Sequence, residues 1–176
     1  SGDISKADEY GNTPMHLACL NGYLPVCQWL YAEGATEDIS KADIAGNTPM
    51  LEACRYGLLH VCQWLYAVGA TEDISNTENY GGWTPFHEAC SGGHLGVCQW
   101  LYDVGASKDI STADNDGLTP MYFACLNGNL DVCQWLYDNG AAEDISTADS
   151  EGKTPMHLAC LNGNLDVCQW LYDNGA

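Results

Sequence analysis

Basic residues are what this sequence has least of. Five lysines and arginines stand against 24 aspartates and glutamates in 176 residues, for a formal net charge of −19. Phosphate backbones are bound by clustered Lys and Arg, so the scarcity argues against nucleic acid as a partner. It also disfavours adhesion to anionic membrane surfaces. Long apolar runs are missing too: none approaches the ~20 residues needed to span a bilayer, and the first residues carry no basic-then-apolar segment of the secretory kind. Glycine-rich phosphate loops are absent, because Gly81-Gly82 and Gly92-Gly93 fall where helices are expected to begin or end. Such an acidic field attracts and steers a basic or mixed protein surface, or simply keeps an apolar stack soluble.

What is present is repetition. The hexapeptide VCQWLY occurs five times, at Val26–Tyr31, Val61–Tyr66, Val97–Tyr102, Val132–Tyr137 and Val167–Tyr172. A Thr-Pro pair precedes each copy, and the prolines (Pro14, Pro49, Pro85, Pro120, Pro155) are 35, 36, 35 and 35 residues apart. A period of that size belongs to arrays in which each unit buries its apolar face only against its neighbours. With 46% hydrophobic residues the chain can build a core, so wholesale disorder is excluded. We therefore expect one elongated domain over residues 1–176. Its units run approximately 8–42, 43–77, 78–113, 114–148 and 149–176, and residues 1–7 read as the end of a preceding hairpin or as a cloning remnant, Ser1-Gly2 in particular.

In the first unit Thr13 can cap a helix through its hydroxyl, and Pro14 suits the first helical position, where no backbone donor is needed. Met15, Ala18 and Cys19 then recur at i, i+3, i+4 on one face, and Gly22 stops the helix. A second helix is predicted from about Leu24 to Glu33, ended by Gly34. Both are shorter than the ~12–15 residues an isolated helix needs in water, so stacking must supply their stability.

These residues resemble the ankyrin repeat, whose pattern is Asp-x-x-Gly-x-Thr-Pro-Leu-His-Leu-Ala-Ala-x-x-Gly-His-Leu, a second helix, then Gly-Ala-Asp. Asp8, Gly11, Thr13-Pro14, His16-Leu17-Ala18, Gly22, Leu24 and Gly34-Ala35 carry the match in the first unit, and similar matches recur in all five. The resemblance implies an all-α, ankyrin-type helix-turn-helix solenoid with hairpin loops between repeats. It also implies that partners are proteins, bound through the hairpin tips and the exposed side of the first helix. The departures are specific. Units are two residues longer than the family's usual 33, with Thr36-Glu37, Thr71-Glu72, Ser107-Lys108 and Ala141-Ala142 as the additions, which implies a longer or bulged hairpin. Position ten of the family motif is Cys rather than Ala each time. Leu51 replaces the motif His, which in the family ties the helix start to neighbouring backbone. The third unit holds one further residue within 75–83.

Ten cysteines fall two per unit, eight apart, as Cys19/Cys27, Cys54/Cys62, Cys90/Cys98, Cys125/Cys133 and Cys160/Cys168. Each sits among apolar residues, where a reduced Cys behaves as a small hydrophobe; intra-unit disulfides and metal ligation are the alternatives. Reduced thiols imply an intracellular, cytoplasmic setting. Catalysis finds no support, since Cys90 with His87 and Cys19 with His16 share one short helix and a buried thiol without an electropositive neighbour is inert. No cofactor is expected. Two rows of carboxylates, Asp38/Asp73/Asp109/Asp144 and Asp8/Asp43/Asp114/Asp149, supply oxygen of the kind calcium takes. One per unit at roughly 10 Å spacing, they suit turn formation better.

Comparison of the units places the variation at the hairpin tips and the first helix, while the second helix with its Trp29, Trp64, Trp100, Trp135 and Trp170 barely changes. The partner-binding candidates are Tyr10, Arg55, Tyr56, Tyr80, Trp83, Glu88, Leu118, Tyr122 and Phe123, rich in the types found at interface hot spots. The function expected is non-enzymatic protein–protein recognition. The alternative is a structural or spacer segment, or a self-associating or engineered scaffold, with end-to-end contacts to further repeats. The fifth unit keeps Val167, Trp170 and Leu171 with no polar replacement, so the chain reads as a piece of a longer array.

Overall fold

The computed structural model describes residues 3–77 and 79–176. Ser1, Gly2 and residue 78 lie outside the described residues, and with them the suggested remnant and part of the segment 75–83.

Each Thr-Pro opens a seven-residue helix: α1 (Pro14–Leu20), α3 (Pro49–Arg55), α5 (Pro85–Ser91), α7 (Pro120–Leu126) and α9 (Pro155–Leu161). The threonines hold extended backbone at the cap. Where His follows three residues on, the two side chains close a capping box at Thr13, Thr84 and Thr154, satisfying donors the helix start would otherwise leave bare. A glycine beyond each helix reverses the chain, as Gly22 does at φ 72°, a left-handed conformation costly for any residue with a Cβ. The second helices follow: α2 (Leu24–Ala32), α4 (Leu59–Ala67), α6 (Leu95–Leu101), α8 (Leu130–Asp138) and α10 (Leu165–Asp173).

The added residues do not extend strands; among the described residues there are none. They wind single 3₁₀ turns at Glu37–Ile39, Glu72–Ser75, Ser107–Ser111 and Ala142–Ser146, each of which tucks an Asp-Ile pair into the stack. Successive loops are tied by lone backbone bonds, Ile44 N–H to Tyr10 O (3.0 Å), Tyr80 N–H to Ala45 O (3.1 Å) and Asn115 N–H to Gly81 O (3.0 Å).

First helices pack more closely against one another than second helices do, so the stack curves toward its first-helix side. Met15, Met50, Phe86 and Met121 fill equivalent places in the core with Leu65, Leu101 and Leu136. Along the second-helix row, each tyrosine meets the next unit's tryptophan edge-on: Tyr31–Trp64, Tyr66–Trp100, Tyr102–Trp135 and Tyr137–Trp170, with centroids 5.5–5.9 Å apart. In four of the five units the Trp is thus a packing element, while Trp29 of the first unit is 54% exposed. The cysteine pairs face one another in thiol–thiol hydrogen bonds at 3.4–3.6 Å, without a disulfide. Burial pushes the Cys54 and Cys90 thiols well above the ordinary range, which makes them poor nucleophiles. One expectation needs correcting: Cys160 is exposed and Cys168 only partly covered, because no described repeat lies over that side of α9 and α10.

His16 and His87 bridge units. Thr13 N–H donates to His16 Nδ1 (3.1 Å) while His16 Nε2–H reaches Asn47 O (3.3 Å). His87 does the same with Thr84 (3.1 Å) and Leu118 O (3.1 Å). Both rings must be neutral, since a proton on Nδ1 would oppose the threonine N–H. Burial holds both below the ordinary 6.5, against a smaller upward pull from the carbonyl bonds and nearby aspartates. A histidine whose folded value is depressed binds its proton more tightly when unfolded. Its contribution to stability is therefore complete above about 6.5 and is lost as pH falls through the folded value. Imidazole resonances followed by NMR should titrate below 6.5 for both residues; midpoints at or above it would contradict the neutral bridging geometry.

Candidate interaction surface

The second and third repeats differ from the rest on the first-helix side. Glu52 and Glu88 occupy the place held by Leu17, Phe123 and Leu158 in the other units, and Arg55 the place of Leu20, Leu126 and Leu161. Across the boundary between the second and third units the facing pair is therefore ionic, where the boundary between the fourth and fifth carries Leu126 and Leu158. Arg55 Nη1–H donates to Glu52 Oε1 at 2.8 Å within its own helix, and Nη2–H to Glu88 Oε1 at 2.6 Å across the repeat boundary. The bond to Glu88 raises the guanidinium's affinity for its proton. Burial raises the Glu52 carboxyl, and Arg55 offsets only part of that.

Above this triad the third unit's loop turns sharply. Asn79 Oδ1 accepts the Trp83 N–H at 2.9 Å, an Asx-type turn, and Trp83 stands where other units carry Asn12, Asn47, Leu118 or Lys153. The Trp83 ring is braced on Phe123 of the next repeat, centroids 4.3 Å apart. Between the two repeats these residues enclose an open cavity of about 400 Å³ lined by Ala45, Asn47, Arg55, Asn79, Tyr80, Gly81, Trp83 and Glu88. Tyr80 is 78% exposed at its rim.

Four of the nine expected residues, Arg55, Tyr80, Trp83 and Glu88, converge here. Glu88 is only 5% exposed and acts from the wall. Phe123, 6% exposed, lies beneath Trp83 rather than on the surface. Leu118 gives its carbonyl to His87. Tyr122 donates its hydroxyl to Asp149 Oδ2 at 2.9 Å, and burial with that bond pushes its phenol up to about 12. Tyr56 ends α3 exposed beside Arg55 without lining the cavity, and Tyr10 sits apart in the first loop. The nine residues expected from the sequence do not include Asn47 and Asn79, which line the cavity, or Glu52, which pairs with Arg55 beside it; the Leu-to-Glu exchange between units is the signal that points to Glu52.

The two aspartate rows serve different ends. Asp8, Asp43, Asp114 and Asp149 accept backbone N–H groups of their own loops at 2.8–2.9 Å. Asp38, Asp109 and Asp144 are buried under the 3₁₀ turns. Burial raises the Asp144 carboxyl against a lowering bond from Ser111. Among the described residues no three His, Cys, Asp or Glu side chains are placed to hold one metal ion. Neither Cys–His pair meets: His16 and His87 turn to backbone partners, and Cys19 and Cys90 to other thiols.

Short helix pairs stacked in register, joined by capped loops and curved toward the first helices, define an all-α solenoid. The family model for ankyrin repeats, in a three-copy form, matches residues 36–112 and 104–176, and the single ankyrin repeat matches residues 10–44. The chain belongs to the ankyrin repeat family. No curated protein matched it in a sequence search. Ankyrin repeats are in general protein–protein interaction modules and are typically non-enzymatic. Among the described residues no helix is long and apolar enough to cross a membrane.

Proposed function

We propose that this chain is a non-enzymatic recognition module that engages a protein partner, basic in character, on the curved first-helix side of repeats two to four. The observation that carries this is convergence: residues that break the otherwise uniform repeat, Arg55, Tyr80, Trp83 and Glu88, meet at one cavity. Repeat packing does not require an ion pair at this place, since the boundary between the fourth and fifth units carries Leu126 and Leu158 at the two equivalent positions. A pre-ordered surface loses little conformational entropy on binding, and a net charge of −19 steers basic partners toward it. The cysteine-rich core fits an intracellular, reducing compartment.

Affinity capture from lysate compares the parent with a Tyr56→Ala, Trp83→Ala, Tyr122→Ala variant, after both give the same helical circular dichroism. A specific protein held by the parent should fall about tenfold or more in the variant, the scale of truncating hot-spot aromatics. Equal capture by both proteins would move the function away from this surface and toward a structural segment.

A further inference from the structure

Arg55 and Glu88 stand in the cavity wall, and Glu52, outside the lining, also holds the guanidinium, so the three charges sum to −1. Arg55, the only one of the chain's five basic residues to line the cavity, has both terminal nitrogens committed to Glu52 and Glu88. An acidic ligand would face a triad more negative than positive, whose guanidinium has both terminal nitrogens already engaged. An apolar one would strip water from the Glu88–Arg55 pair and return no compensating bond. A cation does neither. It supplies the missing positive charge, and it lies against Tyr80 and Trp83, whose ring faces attract cations. The cavity's 400 Å³ falls within the ~300–1,000 Å³ of ordinary ligand pockets, room for a long side chain.

Resting on the recognition role proposed above, we infer that the cavity between the second and third repeats accepts an arginine or lysine side chain of the partner, laid against Tyr80 and Trp83 with its charge toward Glu88. The rest of the partner then runs over the surface toward the fourth repeat. The occupant is a basic peptide segment, and acidic or apolar peptides are excluded.

The test uses four capped pentapeptides, acetyl-Gly-Ser-X-Ser-Gly-amide, in which X is arginine, lysine, norleucine or glutamate. Each is titrated into ¹⁵N-labelled protein while the Trp83 indole N–H resonance is followed, assigned by its loss in Trp83→Phe. The arginine and lysine peptides should move it saturably, and norleucine and glutamate should not. Glu88→Gln, which leaves Arg55 paired with Glu52, should weaken the basic peptides about threefold or more with the remaining resonances in place. Equal binding of norleucine, an unchanged affinity in Glu88→Gln, or no movement with any peptide would each overturn the assignment. The recognition role stands or falls separately, on whether a captured protein is lost from the aromatic triple variant.

Discussion

Phe86→Ala is expected to destabilise the array by about 3–5 kcal/mol, the cost of removing a fully buried aromatic and leaving a cavity. Phe86 is 0% exposed in the middle repeat, and its ring lies nearly parallel to that of Trp135 in the next unit, 6.2 Å away at 13°. The void would therefore open at a repeat boundary, where nearest-neighbour contacts hold the stack together. Unfolding in urea by circular dichroism should show an earlier midpoint for Phe86→Ala. Phe86→Met restores the residue found at Met15, Met50, Met121 and Met156 and should cost less than about 1.5 kcal/mol. An alanine variant within about 1 kcal/mol of the parent would mean that the boundary relaxes into the void, against the packing described here.

Arg55→Ala should also destabilise, and its partners decide by how much. Removing the guanidinium leaves Glu52 and Glu88 buried and facing each other. Breaking a fully buried pair costs about 3–5 kcal/mol. The Arg55 side chain is 36% exposed, so solvent screening reduces the expected loss to about 1–3 kcal/mol. The Glu52 carboxyl is already raised by burial, and losing Arg55 removes a group that lowers it. A raised carboxyl contributes stability below its unfolded value and loses it as pH rises through the folded value, so the Arg55→Ala defect should shrink on acidification. Replacing all three by leucine gives this boundary the residues that Leu126 and Leu158 supply between the fourth and fifth units and should be neutral or stabilising. A triple variant less stable than Arg55→Ala would show that the ion pairs hold this boundary better than apolar packing can.

The helices, their limits and the stacking were legible in the chain because their determinants are local. Thr-Pro sets a cap and a first turn within two residues, the following glycine ends it within nine, and a 35-residue period repeats both. The longer link was also visible as two extra residues after Gly-Ala. Its form as a 3₁₀ turn carrying a buried Asp-Ile pair was not, because that depends on what the turn packs against. Similarly, the divergent residues could be picked out by comparing units. That Arg55, Tyr80, Trp83 and Glu88 share one cavity while Phe123 lies beneath it depends on how unit two sits on unit three.

One heptapeptide marks the boundary between the two kinds of knowledge. PMHLACL is the sequence of both α1 and α9, and it makes the same capped helix in each, because cap and propensity are properties of the residues themselves. Yet Leu17 is 46% exposed where Leu158 is 4%. His16 and Cys19 are buried where His157 and Cys160 are open. In α1 a repeat covers the side bearing His16 and Cys19; in α9 a repeat covers the side bearing Leu158. The sequence by itself determined the repeat, its helices, their ends and the acidic field. Tertiary structure decided which face of each helix is covered, which ring is held neutral and which divergent side chains meet, since burial depends on the neighbour a residue is packed against.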